Sequence, residues 1–317
     1  MNLQNIFSEI EKVDPEVYER MDTRRDAMKG FAKFTGKAAL AAMPLALASM
    51  FNKAYGQTPA NVITTLQFAL TLEYLEAEFY TLGVASPAVT GNAAVSAPAL
   101  AALQKIRDDE NKHVVYLKSV LTALGTTPIV KPTFDFTAGS TTTNPAPNNG
   151  PFIGWNANYD IFLAVAQTLE DTGVRAYKGS AGTLVSNPAV LTAALNVHSV
   201  EARHASHIRQ MRRARALVSG AYTAAYFGNI KPWIEGNESN IGGLNPINGK
   251  DFRASVQPNY SGVPNGEDNL VQLGITVTSL PGITGGVAAA TAAFDEPLDQ
   301  AYVGNPNGGL VDGFITP

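Results

Sequence analysis

The sequence predicts an all-α protein built on a four-helix bundle, with a long crossover between the second and third helices and an irregular C-terminal extension. Apolar residues recur at helical spacing in four stretches between residues 57 and 222, as they do in amphipathic helices that pack on one another. The stretches form two pairs, with a short link inside each pair and a long polar segment between the pairs. This order of links is typical of a bundle with one crossover connection.

The first pair of helices has clear start and stop signals. The first helix is expected to begin after Thr58 and Pro59 and to end at Gly83. The second begins at Ser96–Pro98, where a capping serine precedes a proline suited to the first helical turn, and ends at Gly125. Glycine is a common stop signal because it adopts the left-handed backbone that closes many helices.

The second pair follows the crossover. Residues 139–154 are rich in Thr, Pro, Asn and Gly and have no sustained periodicity, and the connection is long enough to span a bundle of about 35 Å. The third helix is expected to start near Asn158 and to end before Gly179. The fourth starts at Ser186–Pro188 and ends at Gly220.

The C-terminal residues 223–317 change in composition to Gly, Asn, Pro and Ser. They contain one strand-like alternating piece, Leu270–Leu280, and one alanine-rich piece, Val287–Phe294. We expect an irregular extension that packs on the bundle, and the sequence indicates no functional site in it.

Two Glu-x-x-His quartets, Glu110–His113 and Glu201–His204, contain half of the 4 histidines in the chain. Residues three apart lie on one face of a helix, so each quartet directs a carboxylate and an imidazole to one point. Both quartets fall on the second helix of a pair, and each first helix has at least one glutamate in its middle. Four carboxylates and two imidazoles would balance two divalent cations in a bundle core.

The third helix offers Glu170 for this set, and the first helix offers Glu73 or Glu76. Leucines flank these glutamates, which favours the bundle interior over the surface. The alternative is that all these Glu and His side chains are solvated charges on helix faces. Asp109 and Asp171 are expected to be solvated or to accept hydrogen bonds from ligating histidines.

The amino-acid composition limits which metal ions and which classes of partner are expected. The chain has 0 cysteines, which excludes zinc fingers, iron–sulfur clusters and disulfides and leaves oxygen and nitrogen ligands. Such a donor set favours two iron or two manganese ions. The formal net charge of -4 offers no basic surface for nucleic acid, so none is expected as a partner.

Residues 1–56 have the features of a leader. The run Thr23–Lys29 contains adjacent arginines and resembles a twin-arginine export signal, and it is followed by an apolar run at 38–51 and a small-x-small site at Ala54–Gly56. The expected location is therefore periplasmic or extracellular. The alternative is an ordinary amphipathic or membrane-anchoring helix, and an uncleaved leader would give the protein a membrane contact.

The ligand pattern resembles the ferritin-like superfamily of carboxylate-bridged di-metal proteins. The run Leu72–Tyr80, with Ala293–Leu298 near the end, is similar to exported ferritin-like proteins that include desiccation-related proteins. The resemblance implies that Glu110 and Glu201 bridge two metals, and it favours Glu73 over Glu76 because Tyr80 follows Glu73 by seven residues. The implied ligands are Glu73, Glu110, His113, Glu170, Glu201 and His204.

Further side chains are candidates for supporting roles. Tyr80 and Tyr177 each follow the ligand of their helix by seven residues, and Tyr116 follows His113 by three. Each could orient a carboxylate or pass an electron, or could be an ordinary core tyrosine. His207 and His198 flank the second quartet and are expected on the surface or behind the ligands.

These observations predict an exported di-metal protein that reacts with dioxygen or hydrogen peroxide, as a ferroxidase, a peroxidase or a catalase-like enzyme. The alternative is a stress-protective or envelope-structural protein that holds metal without turnover. A homo-oligomer is compatible with either function. An oxygenase acting on an organic substrate would need an apolar pocket beside the metals.

Overall fold

The structure is a computed structural model, and the residues that it describes are 60–139, 148–216, 230–261, 266–272, 275–279, 286–293, 296–298 and 313–315. The expected leader at 1–56 lies outside this part of the chain. All described residues belong to one compact unit, Tyr55–Pro317. Among the helices of these ranges, none is long and apolar enough to cross a membrane.

Four long helices confirm the predicted all-α four-helix bundle. Their bounds are α1 Ala60–Ala85, α2 Ala97–Ala123, α3 Tyr159–Leu184 and α4 Pro188–Ala216. The main packing partners are α1 with α2 and α3 with α4, as expected for helices joined by short links. Helix α1 also packs on α3, whereas α2 and α4 touch only slightly.

The helix starts follow the predicted capping chemistry. The Ser96 hydroxyl accepts a hydrogen bond from the backbone N–H of Ala99 at 3.3 Å, and the Asn158 side chain accepts from the N–H of Asp160 at 2.9 Å. Both interactions satisfy backbone donors that the first helical turn leaves free. After α2, Gly125 has a φ of 76°, the left-handed conformation expected of a glycine that ends a helix.

Two predicted helix ends are wrong, and close packing at glycine explains both. Helix α3 continues through Gly179 to Leu184, and α1 continues through Gly83 to Ala85. A side chain at position 179 would collide with the backbone carbonyl of Leu298, and one at position 83 would collide with the ring of Phe162. These glycines therefore let other parts of the chain approach a helix, a role that local sequence does not distinguish from a stop signal.

The crossover between α2 and α3 contains no helix in its described residues. Asp135 organises its first part by accepting hydrogen bonds from the backbone N–H groups of Thr137, at 2.9 Å, and Asn148, at 3.0 Å. Phe134 pairs with Ile315 in an isolated antiparallel bridge, so the end of the chain lies along the crossover.

The C-terminal extension is irregular, as predicted, with short elements. They are α5 Phe252–Val256, α6 Pro258–Ser261, β1 Val271–Gln272, β2 Ile275–Thr276, a 3-10 turn Val277–Ser279 and α7 Gly286–Ala293. The predicted strand-like piece is in fact two very short antiparallel strands and a turn. The alanine-rich piece is helix α7.

Helix α3 is the central element of the bundle. Its residues are buried almost throughout its length, on faces that point in all directions. It packs on α4 and α1 on the inner side, while backbone atoms of the extension bond to its outer side, as where the N–H of Leu298 donates to the carbonyl of Arg175 at 3.1 Å. A helix buried all round positions its side chains more rigidly than a surface helix.

Candidate metal centre

The six predicted ligands lie together in the middle of the bundle. The four carboxylates have no solvent exposure, and the two imidazoles are 8% and 6% exposed. They form two groups of donor atoms, each within 4.8 Å of one another: Glu73, Glu110, His113 and Glu201 in one, and Glu110, Glu170, Glu201 and His204 in the other. Glu110 and Glu201 belong to both groups, which is the position of bridging carboxylates.

Both imidazoles point the same nitrogen at the carboxylates. His113 Nδ1 lies 3.1 Å from oxygens of Glu73 and Glu110 and 3.2 Å from Glu201 Oε1. His204 Nδ1 lies 2.7 Å from Glu110 Oε1 and 3.5 Å from Glu170 Oε2. Four helices thus contribute to one cluster, because each ligand sits mid-helix on the face turned inward.

Asp109 lies behind His204. Its Oδ2 is 3.6 Å from Nε2 of that ring, on the side away from the other carboxylates. Asp109 also forms ion pairs with Lys105 and Lys112 at the surface of α2. A carboxylate in this position favours the tautomer that leaves Nδ1 free to bind a cation.

The two tyrosines that follow the ligands by seven residues cross the bundle. The Tyr80 hydroxyl of α1 donates to Glu170 Oε1 of α3 at 2.6 Å, and the Tyr177 hydroxyl of α3 donates to Glu73 Oε1 of α1. The two helix pairs are therefore related by an approximate two-fold arrangement. Each tyrosine fixes the carboxylate on the opposite helix and leaves its second oxygen directed at the cluster.

Several buried polar atoms of the cluster have no hydrogen-bond partner. They are Glu110 Oε1, Glu170 Oε2, both carboxylate oxygens of Glu201, His204 Nδ1 and Glu76 Oε2. The short approach of His204 Nδ1 to Glu110 Oε1, at 2.7 Å, does not have hydrogen-bond geometry and so does not satisfy either atom. Buried polar atoms without partners are costly, and cations among them would satisfy them. The oxygen and nitrogen donors fit iron or manganese.

Without cations, protons balance the cluster. Burial raises the pKa of Glu73 to about 7, although His113 opposes this shift. Burial also acts to raise the pKa of Glu110, but contacts with His113 and His204 outweigh it and lower this pKa to about 2. Burial alone would lower the pKa of His204, yet Glu170 and Glu110 raise it to about 11. Burial likewise acts to lower the pKa of His113, but Glu73 and the neighbouring carboxylates raise it well above its ordinary value. Both imidazoles therefore hold protons that metal ions would displace.

The tyrosine hydroxyls remain donors at neutral pH. Burial, followed by the nearby carboxylate of Glu170, raises the pKa of Tyr80 well above its usual range. Burial and Glu73 do the same for the pKa of Tyr177. Each hydroxyl thus keeps its proton and its hydrogen bond to the carboxylate.

Glu76, the alternative on the first helix, lies beside the cluster but outside both ligand groups. It is 2% exposed, and its space is provided by Gly173 on α3. Sequence reasoning missed Gly173, although a glycine in the middle of a long helix is a signal of close approach, because it costs about 1 kcal/mol relative to alanine.

The remaining candidates lie farther from the cluster. Tyr116 is half-buried and lines a small cavity together with Tyr177. His207 is exposed on α4 and is in neither ligand group, so a supporting role is not indicated. His198 contacts the carbonyl of Val174 at 3.0 Å through Nδ1.

The expectation for Asp171 is wrong, because this residue is buried and contacts neither ligating histidine. Arg209 of α4 donates to both of its oxygens, at 2.9 and 2.6 Å, and Tyr260 of the extension donates to it as well. Arg212 donates to Gln167 one turn before Asp171. A charged cluster on the outer side of α3 thus supports the helix that carries Glu170.

Comparison with known families agrees with this geometry. Residues 61–214 match the family model described as a ferritin-like domain. No curated protein matches the chain significantly. The matched range begins in α1 and ends in α4, and it includes all six predicted ligands. The match and the helix geometry agree that residues 61–214 are similar to a ferritin-like domain.

Proposed function

We propose that the protein binds two iron or two manganese ions and reacts with dioxygen or hydrogen peroxide, as a ferroxidase, a peroxidase or a catalase-like enzyme. The observation that supports this most directly is the pair of overlapping ligand groups that share Glu110 and Glu201. Unpaired buried donor atoms point into the space between them. Such a set matches two cations in number, charge and chemistry.

Each residue has a distinct role in this proposal. Glu73 and His113 would hold one ion, Glu170 and His204 the other, and Glu110 and Glu201 would lie between them. Two iron or manganese ions, when bound, supply the redox chemistry that protein side chains lack. Tyr80 and Tyr177 keep the outer carboxylates oriented through their hydroxyl hydrogen bonds.

The surroundings of the centre favour a small oxidant. One cavity of about 10 Å³ is lined by Tyr177, Tyr116 and aliphatic side chains. A second, also of about 10 Å³, is lined by Glu76, Gly173, Phe314 and three leucines. Each has room for about one water-sized molecule. A molecule of two oxygen atoms suits such spaces better than an organic substrate does.

Export is part of the proposal, on the basis of the twin-arginine pattern at Thr23–Lys29 and the resemblance to exported ferritin-like proteins, including desiccation-related ones. A fusion of residues 1–56 to a reporter that is active only outside the cytoplasm tests this. Replacing both Arg24 and Arg25 with lysine should abolish the signal. Reporter activity that survives this change would contradict the twin-arginine route.

A stress-protective or envelope-structural protein without turnover is the second candidate. The buried contacts between bundle and extension favour it: Arg175 of α3 forms a fully buried ion pair with Glu267, and its Nε donates to the carbonyl of Glu296 at 2.9 Å. These buried contacts make the protein more rigid than a reaction with a small molecule requires.

Metal analysis of the purified protein, with oxygen- and peroxide-consumption assays, distinguishes the two candidates. We expect two ions per chain, and loss of both metal and turnover in Glu110→Ala. Glu78→Ala is the control, because Glu78 lies on α1 but pairs with Lys131 near the surface. Two tightly held ions without turnover would favour the structural role. A wild-type protein that binds no metal would contradict both.

A further inference from the structure

We propose that Glu76 is a seventh ligand, which binds the two-ion centre next to Glu201, and that Gly173 is the residue that makes this possible. The inference rests on the proposed metal function and deepens it. It implies that the two halves of the centre differ chemically, although the helices that build them are related by an approximate two-fold arrangement.

The asymmetry follows from comparing the two first helices of the pairs. Glu73 of α1 corresponds to Glu170 of α3, and Tyr80 corresponds to Tyr177, as their crossed hydrogen bonds show. One turn after the first ligand, α1 has Glu76, whereas the equivalent position of α3 is Gly173. A carboxylate on one side therefore faces a position without a side chain on the other.

The geometry around Gly173 explains this pairing. A Cβ atom at that position would lie 2.9 Å from Glu201 Oε2 and 3.2 Å from Glu76 Oε1. Both carboxylates thus lie over the glycine, and any side chain there would push them away. The glycine creates a hollow in which Glu76 and Glu201 are neighbours.

The atoms in this hollow have unused binding capacity. Glu76 Oε2 and both oxygens of Glu201 are buried and have no hydrogen-bond partner. Two carboxylates side by side in a dry interior repel each other unless a cation or a proton lies between them. Glu76 reaches this hollow from α1, and Glu201 reaches it from α4.

A fifth carboxylate also changes the charge balance. Four carboxylates balance two divalent ions, whereas five balance one divalent and one trivalent ion. With two ions bound, the negative charge of Glu76 would stabilise the more positively charged, oxidised form of the centre and so lower its midpoint potential. A centre of this kind is easier to oxidise than one without Glu76.

Two substitutions test the inference, each with a matched control. Glu76→Gln removes the charge with little change in shape, and Glu78→Gln is its control on the same helix. Gly173→Ala fills the hollow and displaces the two carboxylates over it without removing either one from the chain. Gly182→Ala is its control, because Gly182 is also in α3 and a Cβ there would meet no atom within 4 Å.

The readouts are metal affinity by calorimetry, the Mössbauer spectrum of ⁵⁷Fe-loaded protein, the midpoint potential and the melting temperature with and without metal. We expect Glu76→Gln and Gly173→Ala to weaken binding of at least one ion by about 10-fold or more. Glu76→Gln should also raise the midpoint potential and make the two iron signals more alike. Without metal, its melting temperature should stay equal or rise, because carboxylate repulsion is relieved.

The outcomes separate the inference from the function on which it rests. If Glu76→Gln binds two ions with wild-type affinity and an unchanged spectrum, Glu76 is not a ligand and only this inference is wrong. A wild-type protein without metal would overturn the proposed function and this inference together. Because Gly173→Ala also displaces Glu201, it cannot replace the test of Glu76. If Glu76→Gln does not fold, Glu76→Asp decides, since its shorter side chain keeps the charge but withdraws it from the centre, and wild-type affinity with an unchanged spectrum in that variant would overturn the inference.

Discussion

Tyr80 and Tyr177 each donate a hydrogen bond to a carboxylate of the opposite helix, but their rings lie in different surroundings. The ring of Tyr80 packs edge-on against Phe79, with centroids 5.2 Å apart, and against Phe162, at 6.2 Å. The ring of Tyr177 instead borders the small aliphatic cavity next to Tyr116. Aromatic side chains thus surround Tyr80, whereas Tyr177 borders a cavity of about 10 Å³.

Removing either hydroxyl should weaken the centre. Tyr80→Phe leaves Glu170 Oε1 without its donor, and Tyr177→Phe does the same for Glu73 Oε1. We expect each to cost about 1–3 kcal/mol of unfolding free energy and to weaken metal binding by about 10-fold. Urea unfolding and calorimetry measure both quantities. Tyr116→Phe is the control, and an equal effect there would contradict the role of the hydroxyl bonds.

The pair Asp171 and Arg209 offers a second prediction for single residues. Arg209 is 1% exposed and donates two hydrogen bonds to Asp171. Arg209→Met leaves a buried carboxylate without its main partner and should cost about 3–5 kcal/mol. Arg215→Met, which breaks a partly buried pair with Asp160 at the edge of the bundle, should cost less, about 1 kcal/mol. Denaturant unfolding of both variants checks the difference, and similar losses would contradict it.

Sequence reasoning identified the six residues of the buried cluster but not the partners of Asp171, for a physical reason. The Glu-x-x-His spacing is local, because three positions along a helix fix a common face. The partners of Asp171 include Tyr260, which reaches it from an irregular segment. Nothing in the periodicity of α3 or α4 indicates where such a segment lies.

Among the elements, α3 and the piece of extension at 296–298 depend on one another. The carbonyl of Leu298 lies against Gly179, and the N–H of Leu298 donates to the carbonyl of Arg175. In Gly179→Ala the new methyl group would collide with the backbone carbonyl of Leu298. A backbone group cannot move aside as a flexible side chain can. We expect a loss of about 1–3 kcal/mol in unfolding free energy.

The matched control for this change is Gly182→Ala, one turn further along α3 with open space around it. That variant should be neutral or slightly more stable, because alanine is favoured in helices by about 1 kcal/mol. Hydrogen exchange of the amides near 296–298 should increase in Gly179→Ala alone. Equal stability of the two variants would mean that the close approach at Gly179 has little energetic value.

Element starts were easier to predict than element ends. Ser96 and Asn158 cap helices through hydrogen bonds to their own neighbours, so the signal and the structure are local. Gly83 and Gly179 were wrongly predicted to end their helices, because their contacts are with Phe162 and Leu298, which are distant in sequence. A glycine chosen for a tertiary contact has the same local signature as one chosen for a turn.

For the whole molecule, the bundle was predictable and the arrangement of the extension was not. Helical periodicity and link lengths give the four helices and their pairing. The extension has short elements and few periodic residues, so its contacts with α3 follow from single buried groups such as Arg175 and Glu267. Composition predicts an irregular segment but contains no information on its route.

The pKa shifts of Glu73 and His204 predict how the stability of the metal-free protein depends on pH. The pKa of Glu73 is raised from 4.5 to about 7 in the folded protein. A group with a raised folded pKa contributes stability below its unfolded pKa and loses it as pH rises through the folded value. His204, raised from 6.5 to about 11, acts in the same direction. The metal-free protein should therefore be most stable near about pH 5 and should weaken toward about pH 8.

Metal ions should reverse this trend, because they bind the deprotonated carboxylates and neutral imidazoles, and their affinity rises with pH. A ligand that binds only the folded state stabilises it in proportion to the logarithm of its affinity. Scanning calorimetry at several pH values, with and without iron or manganese, measures this. The difference in melting temperature between loaded and metal-free protein should widen from about pH 5 to about pH 8. Parallel curves would mean that the ions bind somewhere other than among these protonated side chains.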